Sequence, residues 1–279
     1  MSANVLVVVG AGGIGLAIAR RQGAGKSVLL ADFNAATIEA AADEMISLGL
    51  RVSTKTVDIS SRQSVEALVD AASNLGTVLE LVVAAGVSPA MASVEDVLKV
   101  DLYGTALVLE EFGRVIAPGG CAVVISSMAA YRQPPLEAAQ EQALATAPVD
   151  ELLRLPFITS ERIPNSVRAY EFSKRANQLR VQGVAVAWKD RGARAISISP
   201  GVIMTPLAQT ELTSVRGEAF RAVIDNSPAG RVGTVDEVAA LTGFLLGPDA
   251  DFITGADFLN DGGVTAARVV AGAQSAVQG

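Results

Sequence analysis

The stretch NVLVVVGAGGIG, residues 4–15, passes from a strand pattern into a glycine-rich turn that leads to a helix. Its apolar first half predicts a buried β-strand, and an apolar-periodic helix follows from near Leu16. This order suits a dinucleotide: Gly10 permits a tight turn, Gly12 lets a pyrophosphate approach the backbone, and Gly15 allows close helix packing. The free N–H groups of the helix N-terminus would bind the phosphates. Since glycine-rich turns also occur in other α/β proteins, the residues that follow have to show whether this turn binds a dinucleotide.

A second strand, Ser27-Val-Leu-Leu-Ala31, leads to Asp32. This carboxylate comes about 17 residues after the last glycine of the turn, near the spacing at which an acidic side chain binds the adenosine ribose of a dinucleotide. Asp32 would repel a 2′-phosphate, and no Lys or Arg follows it directly, so the sequence predicts NAD rather than NADP as the cofactor. The alternative role for Asp32 is an N-cap for a helix that starts at Ala35.

Tyr170 and Lys174 are four residues apart in the helical stretch Tyr170-Glu-Phe-Ser-Lys174 of a chain that contains no histidine. Positions i and i+4 share one face of a helix, so the ammonium group can lie beside the phenol and favour its ionised form. Without histidine, any proton transfer must use another acid, and this tyrosine is the candidate. Taken alone, however, the pattern is more typical of a solvated helix face with an incidental tyrosine.

Length and composition predict one dinucleotide-binding domain over residues 1–279, because 279 residues that are 50% hydrophobic can bury a large sheet between helices. A lone Cys121 cannot form an internal disulfide, so we expect a cytoplasmic protein. The chain contains no histidine to bind a metal ion, so we expect no metal site. The net charge of −7 argues against nucleic acid and anionic membranes as partners. Residues 5–19 are apolar but glycine-rich and lack a preceding basic residue, unlike a signal peptide.

Short β-rich runs alternate with alanine-rich helical stretches along the rest of the chain. The strands are expected near residues 52–56, 79–84, 122–126, 193–199 and 252–259. This alternation implies right-handed crossovers, so the predicted fold is α/β, with a doubly wound, Rossmann-like parallel sheet of about seven strands. Residues 132–165 interrupt the rhythm with two short helical patterns separated at Pro148, which predicts an inserted helix pair.

In their order along essentially the whole chain, these motifs resemble those of the short-chain dehydrogenase/reductase family. The matching motifs are the glycine turn, Asp32, Asp58 after strand three, Ala85-Gly86 after strand four, Ile125-Ser126-Ser127, Tyr170 with Lys174, Pro200-Gly201-x-x-x-Thr205 and Asp261-Gly262-Gly263. The insertion before Tyr170 resembles, more loosely, the bacterial 3α-hydroxysteroid dehydrogenase/carbonyl reductase branch.

The resemblance implies an NAD(H)-dependent oxidoreductase that interconverts a secondary alcohol and a ketone. Tyr170 would be the general acid/base, Ser127 would hold the substrate carbonyl, and Lys174 would assist the tyrosine and bind the nicotinamide ribose. Ser127 matches the family serine because two residues and then the small Ala130 follow it; Ser126 is interpreted as a polar strand end. The implied cofactor-binding residues are Gly10, Gly12, Gly13, Ile14, Gly15, Asp32, Phe33, Asp58, Ile59, Ala84, Ala85, Gly86, Tyr170, Lys174, Pro200, Gly201, Ile203 and Thr205.

Three positions depart from the family pattern. Asp101, which we count with the catalytic residues, stands where most members have an asparagine that supports a water in a proton relay to the lysine. A carboxylate accepts hydrogen bonds but does not donate as an amide does, so an altered relay is expected. The sequence Val83-Ala84-Ala85-Gly86 replaces the usual Asn-Asn-Ala-Gly, and the glycine turn is one residue shorter than usual, with Val9 in place of a threonine.

Other functions with the same fold remain open at this point. An inactive NAD-binding sensor would be expected to lose Ser127, Tyr170 or Lys174, and all three are present. A 3-oxoacyl thioester reductase shares these residues but usually uses NADPH and docks an acidic carrier protein. A basic patch for such a carrier could come from three arginines near the active helix, namely Arg168, Arg175 and Arg180.

The expected substrate is a hydrophobic, steroid-like or alicyclic small molecule. The residues that would line its pocket, or else belong to the ordinary core, are Met128, Val202, Met204 and Leu207. We also expect a homo-oligomer, dimer or tetramer, because family members usually pair two long helices, here about 94–115 and 167–188. The inserted pair would either cover the substrate cleft as a lid or cover the second of these helices.

Overall fold

A parallel sheet forms the centre of the computed structural model, which describes residues 3–205, 208–209 and 217–277. The strands within these residues are β1 (Asn4–Val9), β2 (Ser27–Asp32), β3 (Arg51–Thr56), β4 (Thr77–Val83), β5 (Cys121–Ile125), β6 (Arg194–Pro200) and β7 (Asp257–Asn260). Their order in the sheet is β3-β2-β1-β4-β5-β6-β7, and every neighbouring pair is parallel. The predicted α/β fold with a seven-stranded, doubly wound sheet is therefore confirmed.

Helices cover both faces of this sheet. Their ranges are α1 (Gly13–Gln22), α2 (Ala35–Ser47), α3 (Arg62–Leu75), α4 (Val94–Val97), α5 (Thr105–Phe112), α6 (Ala138–Thr146), α7 (Val149–Leu152), α8 (Ser166–Ala187), α9 (Gly217–Asp225), α10 (Val235–Leu246) and α11 (Val264–Val277). One apolar core lies between the sheet and α3, α5 and α8, and includes Leu68, Leu107 and Leu179. The second lies between the sheet and α1, α2 and α10, and includes Ile18 and Met45.

Strand order fixes where a ligand can bind. The chain runs from β1 outward through β2 to β3, then returns to the other side of β1 and continues through β4 to β7. In open parallel sheets, ligands bind beyond the carboxyl ends of the strands at such a reversal. The glycine turn and the end of β4 therefore lie at the expected binding edge.

The last strand was predicted too long. Residues 252–256 are irregular, with a turn at Phe252 and a bend at Gly255, and β7 begins only at Asp257. Gly255 explains the difference, because its φ of +69° lies in the left-handed region and interrupts an extended chain. Its N–H donates to the carbonyl oxygen of Ala195 at 2.7 Å, which brings the chain into register beside β6.

The inserted helix pair is present as α6 and α7, and the break between them falls at Pro148 as predicted. Its leucines are covered: Leu144 and Leu152 are 1% and 0% exposed, and three others pack against the same core, namely Leu136, Leu153 and Leu155. These leucines are therefore packed against the apolar core on this face of the sheet.

Helix α6 lies directly on α8. A Cβ atom added to Gly183 of α8 would be 2.1 Å from the carbonyl oxygen of Ala145, so only glycine allows this approach. Arg175 Nη2 also donates to Glu141 Oε1 at 2.6 Å, and Arg180 Nη1 donates to the carbonyl oxygen of Ala147 at 2.8 Å. Of the two placements considered for the insertion, the structure shows the one that covers the helix.

Cys121, the first residue of β5, is 2% exposed. Burial raises the pKa of its thiol to about 12. None of the described helices has both the length and the apolar composition needed to cross a bilayer.

Candidate active site

The active helix, α8, carries Tyr170 and Lys174 on one face. Its first turn is fixed by Asn165, whose side chain accepts a hydrogen bond from the N–H of Arg168 at 3.0 Å. One turn later, Lys174 Nζ lies 5.3 Å from the centre of the Tyr170 ring. Because Lys174 is only 4% exposed, a solvated helix face is the wrong interpretation of this pair.

The ammonium group of Lys174 is surrounded by oxygen atoms. Its Nζ lies 3.0 Å from Asp101 Oδ1 and 3.4 Å from the carbonyl oxygen of Ile125, at the end of β5. Asp101 Oδ2 accepts a hydrogen bond from the N–H of Val87 at 3.2 Å. A Cβ on Gly86 would be 2.5 Å from Asp101 Oδ1, so the absence of a side chain there makes room for the ion pair.

Asp101 lies on a π-helical segment, Leu98–Gly104, that joins α4 to α5. The residue is fully buried. Burial raises the pKa of the Asp101 carboxyl, while the charge of Lys174 opposes this rise. For Lys174, burial acts to lower the pKa, but Asp101 and Tyr170 outweigh it and the pKa is raised. A buried charge persists only when it is paired, and each group supplies the partner of the other.

The two serines after β5 have different roles in the structure. Ser126 is 4% exposed, and its Oγ donates to the carbonyl oxygen of Lys174 at 2.8 Å, which ties the strand end to α8. Ser127 is partly exposed, and its Oγ accepts a hydrogen bond from the N–H of Ala129 at 3.1 Å. This bond begins the 3₁₀ helix Met128–Arg132 and leaves the Ser127 hydroxyl proton for donation.

The glycine turn contains both packed and open positions. Gly10 has a φ of +100°, and a Cβ there would be 2.3 Å from the amide nitrogen of Ala85. A Cβ on Gly15 would be 1.9 Å from the carbonyl oxygen of Gly10. At Gly12, in contrast, no atom lies within 4 Å of such a Cβ, and no side chain caps the start of α1. The open backbone at a helix N-terminus fits a dinucleotide pyrophosphate.

Asp32 lies at the carboxyl end of β2, next to this turn. Its Oδ2 accepts a hydrogen bond from the N–H of Ala11 at 2.8 Å, and its Oδ1 accepts one from the N–H of Asn34 at 3.0 Å. The N-cap of α2 is Asn34, whose side chain accepts from the N–H of Thr37, so the alternative role of Asp32 as N-cap is wrong. The adjacent Phe33 is 75% exposed.

The other predicted cofactor residues follow the same edge of the sheet. Ala84 and Ala85 contact Gly10, and Thr205 is 3.2 Å from where a Gly13 Cβ would lie. Ile59 packs on Gly104 of the π-helical segment. Further along the edge, Asp58 Oδ1 accepts hydrogen bonds from Ser60, Gly201 contacts Asp261, Pro200 pairs with Asn260, and Ile203 bridges to Gly233. Ile14 packs beside the core of α1.

The proposed pocket residues differ in exposure. Val202 is 9% exposed, which suits the core, whereas Met128 and Met204 are partly exposed. Leu207 lies outside the described residues.

The three arginines considered as a carrier-binding patch are engaged within the chain. Arg168 pairs with Glu171, and Arg175 pairs with Glu141. Arg180 is 8% exposed, and burial lowers its pKa to about 10.

Asp257 was missed by the sequence interpretation. Its carboxylate accepts hydrogen bonds from side chains of β6, of α8 and of the 3₁₀ helix after Ser127. The sequence contained a sign of it, because aspartate is rare inside strands and this one falls within the predicted strand 252–259.

Comparison with known proteins gives two family models that match consecutive parts of the chain. One, described as short chain dehydrogenase, matches residues 3–139, and the other, described as enoyl-(acyl carrier protein) reductase, matches residues 135–265. A curated relative, the short-chain dehydrogenase/reductase bsc3 of Alternaria brassicicola, is 42% identical over 272 residues, covering 95% of this chain and 97% of the relative.

The 3-alpha-hydroxysteroid dehydrogenase/carbonyl reductase of Comamonas testosteroni is 30% identical over 238 residues, or 82% of this chain and 90% of the relative. Among solved structures, gox2181 matches with a TM-score of 0.77 and 26% identity, over 95% of this chain and 97% of that one.

Proposed function

Because this chain belongs to the short-chain dehydrogenase/reductase family, an oxidoreductase family that acts on alcohols and carbonyls, we propose that it uses NAD(H) to interconvert a secondary alcohol and a ketone on a hydrophobic, steroid-like or alicyclic molecule. The observation that carries this proposal is the buried Lys174, held beside Tyr170 by Asp101, together with a Ser127 hydroxyl whose proton is left for donation.

In the reducing direction, Ser127 donates a hydrogen bond to the ketone oxygen and Tyr170 gives that oxygen its phenolic proton. The Lys174 ammonium stabilises the phenolate that remains. In the oxidising direction, the same phenolate takes the proton of the alcohol. Asp101 keeps the lysine in place from the buried side, at 3.0 Å.

NAD fits the residues at the carboxyl edge of the sheet. Gly12 leaves open space for the pyrophosphate, and Asp32 offers a fixed carboxylate to the ribose hydroxyls while repelling a 2′-phosphate. A bound nicotinamide supplies the hydride for reduction and accepts it in oxidation. Support for a steroid-like or alicyclic substrate comes from the steroid named for the Comamonas testosteroni relative and from the partly exposed Met128 and Met204.

The test combines cofactor and substrate. Binding of NADH and NADPH is compared by calorimetry, and turnover is then followed by NADH absorbance on steroid, alicyclic and 3-oxoacyl thioester ketones. We expect tighter NADH binding and turnover on steroid or alicyclic ketones. Equal or tighter NADPH binding would refute the cofactor assignment.

Turnover only on the thioesters would favour the rival 3-oxoacyl reductase. The pairing of Arg168 and Arg175 within the chain and the burial of Arg180 argue against that rival, because they leave these three side chains poorly placed to bind an acidic carrier.

A further inference from the structure

A carboxylate inside a strand needs hydrogen-bond donors, and Asp257 of β7 has four of them. Its Oδ1 accepts from Ser197 Oγ at 2.6 Å and from Ser199 Oγ at 2.9 Å. Its Oδ2 accepts from Tyr131 Oη at 2.8 Å and from Gln178 Nε2 at 3.1 Å. An ionised carboxylate offers about four acceptor sites, so this side chain is fully used.

These donors belong to the segments that carry the proposed catalytic groups. Tyr131 lies in the 3₁₀ helix that starts directly after Ser127. Gln178 lies on α8, one turn after Lys174 and on the same face. The two serines are on β6, the strand that leads into Pro200-Gly201 at the cofactor edge.

The segment that contains Ser127 is thereby anchored at both ends. At its start, Ser126 donates to the carbonyl oxygen of Lys174 on α8. At its end, Tyr131 donates to Asp257, which is itself hydrogen-bonded to Gln178 of the same helix. Both anchors therefore connect the Ser127 segment to α8, the helix that carries Tyr170, and so fix the position of Ser127 relative to that helix.

We infer that Asp257 is a positioning residue, which sets the placement of Ser127 relative to Tyr170 by joining the serine turn to the active helix. The inference rests on the proposed function for the roles of those two groups. A carboxylate suits this task because all four neighbours donate, and bonds to an ionised acceptor are stronger than neutral ones. Reacting groups misplaced by about 1 Å can lose about 10²-fold in rate, so such an anchor affects turnover.

The inference is tested with Asp257→Ala. We expect kcat for the accepted ketone to fall at least about tenfold, with the KM for NADH changed less than about twofold, because the cofactor contacts at Gly12 and Asp32 are untouched. The matched control is Asp251→Ala, which removes an equal charge from a 77% exposed side chain shortly before β7. The control should keep the parental kcat. An unchanged kcat in Asp257→Ala overturns the inference.

Tyr131→Phe provides a second variant that removes only one hydrogen bond and leaves the other three. It should lower kcat about threefold or more in the parent, yet add little in the Asp257→Ala background, because the two residues act as one unit. Additive losses would mean that Tyr131 and Asp257 act separately and would contradict the inference. If Asp257→Ala does not fold, the kcat of Tyr131→Phe alone tests the inference, and an unchanged kcat contradicts it.

Hydrogen exchange separates this inference from the proposed function. In Asp257→Ala without cofactor, amides of residues 127–132 should exchange faster, while β1 and β2 keep their protection. If exchange is faster in Asp257→Ala but the parent protein reduces no ketone, the positioning role of Asp257 is supported and the proposed function is refuted. If the parent turns over a ketone while Asp257→Ala has unchanged exchange and unchanged kcat, the proposed function is supported and the positioning role of Asp257 is refuted.

Discussion

At the scale of single residues, Lys174 is held by a carboxylate where most members of its family have an amide. The ion pair with Asp101, 3.0 Å long and buried, places a negative charge next to the cation that we propose assists Tyr170. The cation therefore acts on the phenol less strongly than an unpaired lysine would. The identity of Asp101 could be read from the sequence, but its direct contact with Lys174 could not. That contact depends on the π-helical segment that carries Asp101, which the sequence pattern did not predict.

Asp101→Asn tests this effect. The amide oxygen can still accept a hydrogen bond from Lys174, but the negative charge is gone, so we expect the acid limb of alcohol oxidation to move towards lower pH. The measurement is kcat/KM against pH. The control is Glu80→Gln, which removes the carboxylate of the Lys26–Glu80 pair at the opposite end of the sheet and should leave the profile in place. A profile that does not move in Asp101→Asn contradicts this account.

The same variant has a signature in stability. Burial raises the pKa of Asp101 in the fold above the unfolded value of about 3.9, so the folded parent binds more protons there and loses stability as the pH rises from that value to the folded one. Asp101→Asn cannot titrate. The free energy of unfolding of the variant relative to the parent should therefore increase with pH across this interval, as measured by urea unfolding at several pH values.

Tyr170→Phe removes the proposed proton donor and leaves Lys174 and the fold intact. Turnover on any accepted ketone should fall by at least the ~10²-fold typical of losing a general acid, with the affinity for NADH little changed. Steady-state kinetics and calorimetry measure both quantities. Turnover that persists in this variant would assign the acid role to another group.

At the scale of elements, the sequence predicted the strands and the insertion because their patterns are local. β1 has the predicted bounds, and Pro148 separates the two inserted helices as expected. Two things were not predictable from local pattern. The predicted strand includes residues 252–256 because they belong to a short β-rich run, although Gly255 turns the chain. The surface that α6 covers depends on a contact with α8, and the pattern of neither helix reveals that contact.

Gly183→Ala measures that contact. In a helix without a close neighbour, replacing glycine by alanine stabilises by about 1 kcal/mol. Here the new Cβ would lie 2.1 Å from the carbonyl oxygen of Ala145, so we expect a loss of about 1–3 kcal/mol in the free energy of unfolding instead. Gln182→Ala, at the exposed neighbouring position, should change it little. A stabilised Gly183→Ala protein would show that α6 does not press on α8.

At the scale of the whole molecule, the packing of α6 on α8 limits how two chains can associate. Because α6 occupies one face of this helix, we expect a homodimer formed through the edge of β7 that no strand of the described residues pairs with, rather than a tetramer built on paired helices. Light scattering should give twice the mass of one chain.

Two matched variants locate the contact. Leu259→Lys places a charge on β7, and Val167→Lys places one on α8, at side chains that are both 38% exposed. We expect the first to give monomers and the second to leave the dimer intact. A monomeric parent would refute assembly, and the opposite pattern of variants would move the interface to the helix.

The buried thiol of Cys121 makes the chain its own reporter of unfolding. With 2% exposure and a pKa of about 12, this sulfur cannot react with an aromatic disulfide reagent while β5 stays between its neighbours. It is also the only cysteine in the sequence, so each molecule gives one colour change when its sheet opens. The rate of that change, divided by the rate for denatured chain, gives the equilibrium constant of opening. The logarithm of this constant gives the free energy of opening in native buffer without any label.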